Sequence, residues 1–505
     1  ANSEPTGHKT LSYGAAFIHK RDNWIVSLKT ASKYQFVRES SDPWVTFFLY
    51  GMLEVNNTTW LRYGALKLQS DFGVDGYNWR KMPGTTSVNY SDITKMLNKE
   101  YKRFWPKSTF VGGVMQDGNG VFTLQLPAST LNGLSSFTGN KSYFCFDNNI
   151  VCVGSNISNT ITGDTTITTL FQDAVSSTSL TYMNNSTGFK TTPYNFKSNL
   201  TAPTWLVNSH NIAYWLPAGQ SLRLTRSLES NPNWLNTASV SGTFATAWID
   251  HGIAPKNASY SYIMRINALP ADMITFNTQM QSATPPIKVL ALNSQVHAVE
   301  SVNNSTYAAV VINSAANINI NDVVSVSKPC VFMVKTTDVN QKKLSLAYPD
   351  LDFIDTNLYT DLTYCGYSNP NTIVVKLLGS WTLENPVSQN VSFVSNVNNI
   401  STFQFVLKDG LTTDAIIKKN ITTVEAIEAQ SEPIIVVYPN EISITFPTDS
   451  WKNAKGQIVS MDGKIMCELN FKDSITKIST NNYRHGVYLV ILKGNNDMIL
   501  KKVVK

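Results

Sequence analysis

Short apolar or alternating segments recur along the whole chain and constrain its fold more than any other feature. Examples are residues 24–29, 45–50, 307–312 and 372–376, each with Gly, Asn, Asp or Pro close by. Segments of this length, bounded by turn-forming residues, are typical of β-strands. Their regular spacing favours stacked antiparallel sheets over βαβ units. The sequence therefore predicts an all-β fold.

Helical periodicity is scarce. Residues 91–100 have the pattern of a short capped helix, and residues 270–276 have that of another. Neither is long enough to organise a domain. Because 505 residues exceed what one ordinary core contains, we expect several domains.

The overall charge is modest for a chain of this length. A net charge of +6 and a pI near 8.8 do not indicate a nucleic-acid-binding protein, but they suit a polyanionic partner. No apolar run approaches the roughly 18 residues that a membrane span needs. We therefore expect neither nucleic acid nor a membrane span.

The cysteines and histidines form no pattern typical of a metal site or a catalytic triad. Five cysteines are present and none belongs to a CxxC pair. Cys145 and Cys152 flank a turn-forming Asp-Asn-Asn sequence, so they form either a disulfide across a hairpin or two buried thiols. Neither alternative is catalytic, and no metal or other cofactor is expected.

A set of longer motifs identifies a family. The set includes FATAWIDHG, GYNWRKMPGTT, FVGGV, KSYFCFD, TTLFQ and LSLAYPDL, at residues 244–252, 76–86, 110–114, 141–147, 168–172 and 344–351. Their order and spacing resemble the β-sheet half of polysaccharide lyase family 8. That family contains hyaluronate, chondroitin AC and chondroitin ABC lyases, and the ABC type is the most similar.

The resemblance divides the chain. It implies a large central β-sandwich over residues 1–365 and a smaller C-terminal β domain over 366–430. Residues 431–505 resemble the C-terminal sorting domain of type IX bacterial secretion, through VYPN at 437–440, HGVYLVI at 485–491 and a basic ending. The alternative is a generic small sandwich with a basic last strand. The sorting interpretation implies a secreted or cell-surface protein.

The resemblance also implies the chemistry. Family members remove the C5 proton of a uronic acid and break the bond at C4, which requires charge neutralisation, a general base and an acid. The family's catalytic His, Tyr and Arg lie on an α/α toroid that precedes the β domains. We expect this chain to begin after that toroid, so that it depends on a toroid domain or on a separate toroid chain.

By resemblance, the β half contributes one acidic residue from a Gly-rich loop, which in this sequence is residues 110–120. Asp117 matches that residue best, and a one-place shift would put Gln116 in the role. The family's residue is Glu, so Asp117 is one methylene shorter, and Gln116 would hydrogen-bond without carrying charge. Asn119 is expected to contact substrate. The alternative is a plain hairpin turn, which Asp-Gly-Asn-Gly favours by itself.

Residues 76–86, hereafter the 76–86 segment, form the second candidate surface. Tyr77 and Trp79 are expected to stack on sugar faces, and Arg80 and Lys81 to meet sulfate or carboxylate groups. Packing is an equal alternative for the aromatic pair and for Arg80.

Three further residues are expected to be structural. Asp250 and His251 are interpreted as a buried hydrogen-bonded pair that fixes a strand end, and His19 as a packed or rim histidine.

The sequence as a whole predicts the β-domain part of a secreted chondroitin or hyaluronan lyase that is inactive alone. The alternatives are a non-catalytic secreted glycosaminoglycan-binding protein and a purely structural surface protein.

Overall fold

The computed structural model describes most of the chain. The described residues are 6–35, 52–56, 71, 74–96, 106–126, 136–313, 318–353, 368–386, 390–420, 433–446, 454–471, 475–493 and 498–505. They form two compact units, Ala1–Lys419 and Asn420–Lys505. The predicted strand at 45–50 lies outside the described residues.

The all-β prediction is confirmed. Within the described residues the only α-helix is α1, Pro270–Met280, which contains the predicted 270–276 helix. The predicted helix at 91–100 is a 3-10 turn at Ile93–Met96, and residues 97–100 lie outside the described part.

The first unit begins with a small antiparallel sheet and a five-stranded sheet. The small sheet has the order β1-β2-β3-β4, with strands Gly7–Leu11, Ala16–Arg21, Trp24–Lys29 and Met52–Asn56. The second has the order β12-β15-β16-β10-β5, with strands Tyr194–Asn199 (β12), Ser221–Pro232 (β15), Ser239–Ile253 (β16), Thr165–Ala174 (β10) and Thr86–Asn89 (β5).

An eight-stranded antiparallel sheet lies at the centre of this unit. Its order is β11-β13-β14-β17-β9-β8-β7-β6, with strands Tyr182–Met183 (β11), Thr204–Val207 (β13), Ala213–Leu216 (β14), Ala258–Arg265 (β17), Asn149–Ser158 (β9), Thr138–Phe146 (β8), Asn119–Gln125 (β7) and Gly112–Gln116 (β6).

The central sheet is buried on both faces. Phe122 and Tyr143 point into a core shared with the small sheet and the five-stranded sheet. Val121 and Phe144, their neighbours in sequence, point into a second core that includes residues of α1 and of the next domain. Successive side chains of these strands therefore point into two different apolar cores, and neither face of the strands meets solvent. For this reason eight of the nine residues of β8 are buried.

The second domain of this unit is a two-sheet sandwich. One sheet has the order β18-β19-β20-β22-β23-β28-β25, with strands Ile287–Leu292 (β18), Val296–Ser301 (β19), Thr306–Val311 (β20), Cys330–Asp338 (β22), Gln341–Ala347 (β23), Thr413–Lys419 (β28) and Trp381–Leu383 (β25). The other has the order β21-β24-β27-β26, with strands Val323–Val326 (β21), Asn371–Leu378 (β24), Ile400–Leu407 (β27) and Val391–Val397 (β26).

The pairing within this sandwich differs from the expected division of the chain at 365/366. Strand β23 pairs with β28 along its length, with Leu344 opposite Ala415, so residues on both sides of that division share one sheet. One apolar core joins them, with Leu344 and Phe405 both buried. The sandwich therefore begins at β18, directly after α1.

The second unit is a small sandwich of two antiparallel sheets. One has the order β29-β30-β33, with strands Ile434–Tyr438 (β29), Glu441–Thr445 (β30) and Ile475–Ser479 (β33). The other has the order β32-β31-β34-β35, with strands Ile465–Asn470 (β32), Lys455–Ser460 (β31), Val487–Lys493 (β34) and Met498–Val504 (β35). In this unit β34 alternates between more and less buried side chains, as a two-sheet sandwich requires.

Candidate functional site

The Gly-rich loop forms a tight hairpin between β6 and β7. Gln116 pairs with Asn119, leaving Asp117 and Gly118 as a two-residue turn with φ values of 49° and 78°. Positive φ at both central residues is the geometry of a type I′ turn, which Asp-Gly favours. The structure thus brings together the three predicted residues Gln116, Asp117 and Asn119.

The carboxylate of Asp117 holds two ammonium groups from the second sandwich. Its oxygens accept hydrogen bonds from Lys335 Nζ at 2.9 Å and from Lys343 Nζ at 2.8 Å. These bonds lower the pKa of Asp117, that from Lys335 most strongly. Lys343 Nζ also lies 3.2 Å from an oxygen of Asp414. An ionised carboxylate held in this way is a weak general base, and it ties the hairpin to β22 and β23.

Gln116 and Asn119 point into the protein on either side of this turn. Gln116 is 3% exposed, and its amide donates to Ser345 Oγ at 2.8 Å and to the carbonyl of Lys343 at 3.1 Å. Asn119 is 8% exposed, and its side-chain oxygen accepts from the backbone NH of Asp147 and from Arg21, both at 2.9 Å. Both amides therefore join neighbouring segments, and neither presents a free group at the surface.

The 76–86 segment covers part of the outer face of the five-stranded sheet. Gly76 has φ +89°, and a Cβ there would lie 2.2 Å from a backbone nitrogen of β16, so glycine is required. Tyr77 and Trp79 are each 1% exposed and pack edge to face, with ring centroids 5.1 Å apart. Of the two predicted roles, packing and sugar stacking, both rings have the packing role in this structure, because their faces are buried.

The guanidinium of Arg80 forms hydrogen bonds to other groups of the protein. It donates to Asn78 Oδ1 at 2.9 Å, to the carbonyl of Tyr90 at 3.1 Å and to Asn231 Oδ1 at 3.3 Å. Burial lowers the pKa of Arg80. Its hydrogen bonds fix the segment against β15 and against the residue that follows β5.

Lys81 lies at the edge of a partly open row of side chains whose other members were not predicted from the sequence. Its Nζ is 3.8 Å from the ring centroid of Trp248 on β16, and burial lowers its pKa to about 8. Trp248 is directly opposite Arg223 on β15, and Arg223 is opposite the exposed Lys197 on β12. We call these four residues the outer-face row. The alternation of Leu222, Arg223 and Leu224 is the sequence pattern that places Arg223 outward.

The FATAWIDHG motif fixes a strand end, but through other partners than expected. Asp250 accepts from Arg223 Nη2 at 2.9 Å and caps the backbone NH of Gly252 at 2.9 Å. His251 Nε2 is 2.8 Å from Thr168 Oγ1 on β10, and burial lowers the pKa of His251 to about 4. The predicted Asp250–His251 bond is thus replaced by bonds to β15 and β10, because consecutive strand residues point to opposite faces.

Cys145 and Cys152 are free, buried thiols. The register of β8 and β9 pairs Cys145 with Ile150 and Cys152 with Tyr143, so the two sulfurs are not opposite each other. This offset explains why the buried-thiol alternative holds. Cys365 lies outside the described residues.

Comparison with known families decides what this architecture is. The model of the polysaccharide lyase family 8 super-sandwich domain matches residues 6–276, more than half of the chain. The chain belongs to polysaccharide lyase family 8. The family 8 C-terminal β-sandwich model matches residues 288–350, which begin at β18. The family that the motifs resembled is therefore confirmed.

Two of the similar curated proteins are an exolyase and an endolyase. The chondroitin sulfate ABC exolyase of Proteus vulgaris is 27% identical over 423 residues, covering 76% of this chain and 40% of the relative. The ABC endolyase of the same organism is 26% identical over 412 residues, covering 79% of this chain and 38% of the relative. The chain thus spans about two fifths of the length of these relatives.

A solved family 8 structure shares the fold. The Streptomyces coelicolor A3 chondroitin AC lyase, solved in complex with chondroitin sulphate, matches with a TM-score of 0.64 and 17% identity. The match covers 83% of this chain and 50% of that structure. Similarity at this level of identity establishes the architecture of the family 8 β domains.

The second unit of this family 8 chain is an export signal. A secretion system C-terminal sorting domain matches residues 436–505, which confirms the predicted tail. It indicates export by type IX secretion to the cell surface or the medium. Among the described residues, no helix has the length and apolar character needed to cross a membrane.

Proposed function

We propose that this chain is the β-domain portion of a secreted lyase that cleaves chondroitin sulfate or hyaluronan by β-elimination at the uronic acid. The observation that carries the proposal is the family 8 match over the super-sandwich. The Proteus vulgaris relatives are chondroitin sulfate lyases, and their substrate is a polyanion that suits a chain of net charge +6.

The outer-face row supplies the substrate contacts in this proposal. Lys197 offers exposed charge for sulfate or carboxylate groups, and Lys81, which lies over the ring of Trp248, adds a second positive charge. Asp250 already neutralises Arg223 at 2.9 Å, so Arg223 mainly orients the row. The two lysines therefore carry the electrostatic attraction.

Turnover in this proposal requires groups beyond the predicted motif residues. Removal of the C5 proton needs a base of matched pKa within hydrogen-bonding reach of it. Asp117 is held ionised by two lysines, and Gln116 has no basic group. We therefore propose that an α/α toroid, in the same protein or as a separate chain, supplies the base and acid, and that this chain alone turns over little.

The test measures binding and chemistry separately. The purified chain is mixed with chondroitin sulfate and with hyaluronan, and the ultraviolet absorbance of unsaturated uronate is followed beside Asp117→Ala. We expect binding by the wild-type chain without a rise in absorbance. A rise that Asp117→Ala abolishes would show a complete site in this chain and would overturn the dependence on a toroid.

A non-catalytic, secreted glycosaminoglycan-binding protein is the second candidate. The ion pairs of Asp117 favour it, because they give the predicted acidic residue a structural role. Addition of a family 8 toroid domain separates the two candidates. Restored turnover supports the lyase, whereas binding that stays without chemistry supports the binding protein.

A further inference from the structure

Two histidines and a cysteine meet where the small sheet packs on the central sheet. His8 on β1 is directly opposite His19 on β2, and Cys145 lies on β8. One donor atom from each residue, an imidazole nitrogen or the thiol sulfur, lies within 4.8 Å of the other two. His8 is 7% exposed, and His19 and Cys145 are fully buried.

Each histidine has one buried ring nitrogen without a hydrogen-bond partner, and the other ring nitrogen of His8, Nε2, lies 3.4 Å from Thr10 Oγ1. His19 Nε2 lies 2.7 Å from the carbonyl of Asp147. A carbonyl only accepts, so this nitrogen carries the proton and Nδ1 has a bare lone pair. The Nδ1 atoms of both His19 and His8 are buried without a hydrogen-bond partner. A buried acceptor without a donor is unfavourable, whereas a ligand histidine typically donates its other nitrogen to a carbonyl in this way.

The surroundings hold the rings in place and keep them neutral. A Cβ on Gly120 would lie 2.2 Å from His8 Cδ2, so this glycine makes room for the ring. His8 also stacks on Phe17, with centroids 5.2 Å apart. Burial lowers the pKa of His8 well below its ordinary value and that of His19 to about 4. Imidazole binds a metal ion in its neutral form.

Burial raises the pKa of the Cys145 thiol, and the neighbouring Cys152 thiol acts in the same direction, whereas Arg21, which hydrogen-bonds to Asn119 at 2.9 Å, acts to lower it. A fully buried thiol with a raised pKa is a poor nucleophile, which argues against a Cys–His catalytic pair. Metal coordination is the chemistry that deprotonates such a thiol.

We propose that His8, His19 and Cys145 bind one borderline-soft transition-metal ion, of which Zn²⁺ is the type. Two imidazoles and one thiolate are ligands that Zn²⁺ prefers, and bond lengths of about 2.0–2.3 Å place such donors roughly 3.3–3.8 Å apart, within reach of small side-chain shifts. The ion joins β1 and β2 to β8 through these three ligands. It is a structural site, separate from the outer-face row.

The experiment uses the full chain after treatment with a chelator. Zinc content is measured by mass spectrometry after dialysis against Zn²⁺, and Co²⁺ is titrated while thiolate-to-cobalt charge transfer is recorded in the near ultraviolet. We expect one equivalent of metal with a charge-transfer band. We also expect Zn²⁺ to raise the midpoint of thermal unfolding.

Cys145→Ser and Cys330→Ser are the matched pair, because both cysteines are free and fully buried and only Cys145 belongs to the cluster. Cys145→Ser is expected to lose the band and more than about tenfold in metal affinity, while Cys330→Ser keeps both. A wild-type chain without the band overturns the proposal whether or not the variants fold. Equal affinity in Cys145→Ser and wild type overturns it as well.

Discussion

The β6–β7 hairpin and the 76–86 segment were both predicted to contact substrate, and they differ in what occupies their polar groups. The hairpin places its charge at the surface, where Asp117 holds two lysines of the neighbouring sandwich. The segment turns inward, with Tyr77 and Trp79 in the core and Arg80 bonded to backbone and amide oxygens. Lys81 reaches the partly open outer-face row.

The difference shows that the 76–86 motif of this chain serves packing. Gly76 is required by a close backbone approach, and Trp79 donates its ring NH to a carbonyl at 2.7 Å. Both requirements are met without a ligand. Residues for substrate contact are therefore better sought where a strand faces outward, as Arg223 and Trp248 do.

The strongest test of this comparison is Trp79→Ala. Loss of a fully buried indole leaves a cavity, and we expect about 3–5 kcal/mol of destabilisation in urea unfolding. Trp248→Ala is the control, since Trp248 is partly exposed and should lose less stability. If Trp79→Ala weakened glycosaminoglycan binding without destabilising the chain, the packing interpretation would be wrong.

Gln116→Glu is expected to have the next largest effect. A carboxylate cannot donate to the carbonyl of Lys343 or to Ser345, and it would be buried, so we expect a loss of roughly 2–3 kcal/mol. Denaturant unfolding beside Gln116→Leu measures it. Lyase activity gained by Gln116→Glu would instead support the catalytic alternative for this position.

Asp117→Asn should have a smaller, pH-dependent effect. Because the folded-state pKa of Asp117 is lowered, its stabilisation is present above the unfolded pKa of about 4 and is lost as pH falls through the folded value. The side chain is 38% exposed, so screening keeps each pair to roughly 0–1 kcal/mol.

The measurement for Asp117 is the stability difference between wild type and Asp117→Asn from pH 7 to pH 3. His251 and His297, with pKa values lowered to about 4 and about 3, destabilise both proteins as pH falls, so the difference isolates Asp117. A difference that grew on acidification would contradict a lowered pKa of Asp117 in the folded chain.

Lys197→Ala should have the smallest effect and bears on binding alone. Loss of one exposed charge from the outer-face row should weaken chondroitin sulfate binding about two- to threefold, and less at high salt. Lys376→Ala is the control, because Lys376 is equally an exposed strand lysine but lies on β24 of the second sandwich. Equal losses in both variants would indicate non-specific attraction.

Much of the fold could be predicted because short strands and turn-forming residues are local properties. The 307–312 and 372–376 segments lie in β20 and β24 largely as expected. The domain division could not be predicted in this way, since the pairing of β23 with β28 joins residues about 70 positions apart. The partners of Asp117, Lys335 and Lys343, are more than 200 positions away. The outer-face row likewise depends on register between three strands.

The doubly covered central sheet has a consequence for anyone dividing this protein. The super-sandwich match ends at residue 276 and the C-terminal sandwich match begins at residue 288, so the chain could be truncated between them. A chain cut there would expose apolar side chains of the central sheet, among them Phe144, Val151 and Val153, and a contiguous exposed apolar patch is an aggregation hazard. The two domains of the first unit are thus expected to be soluble only together, because the second covers an apolar face of the first.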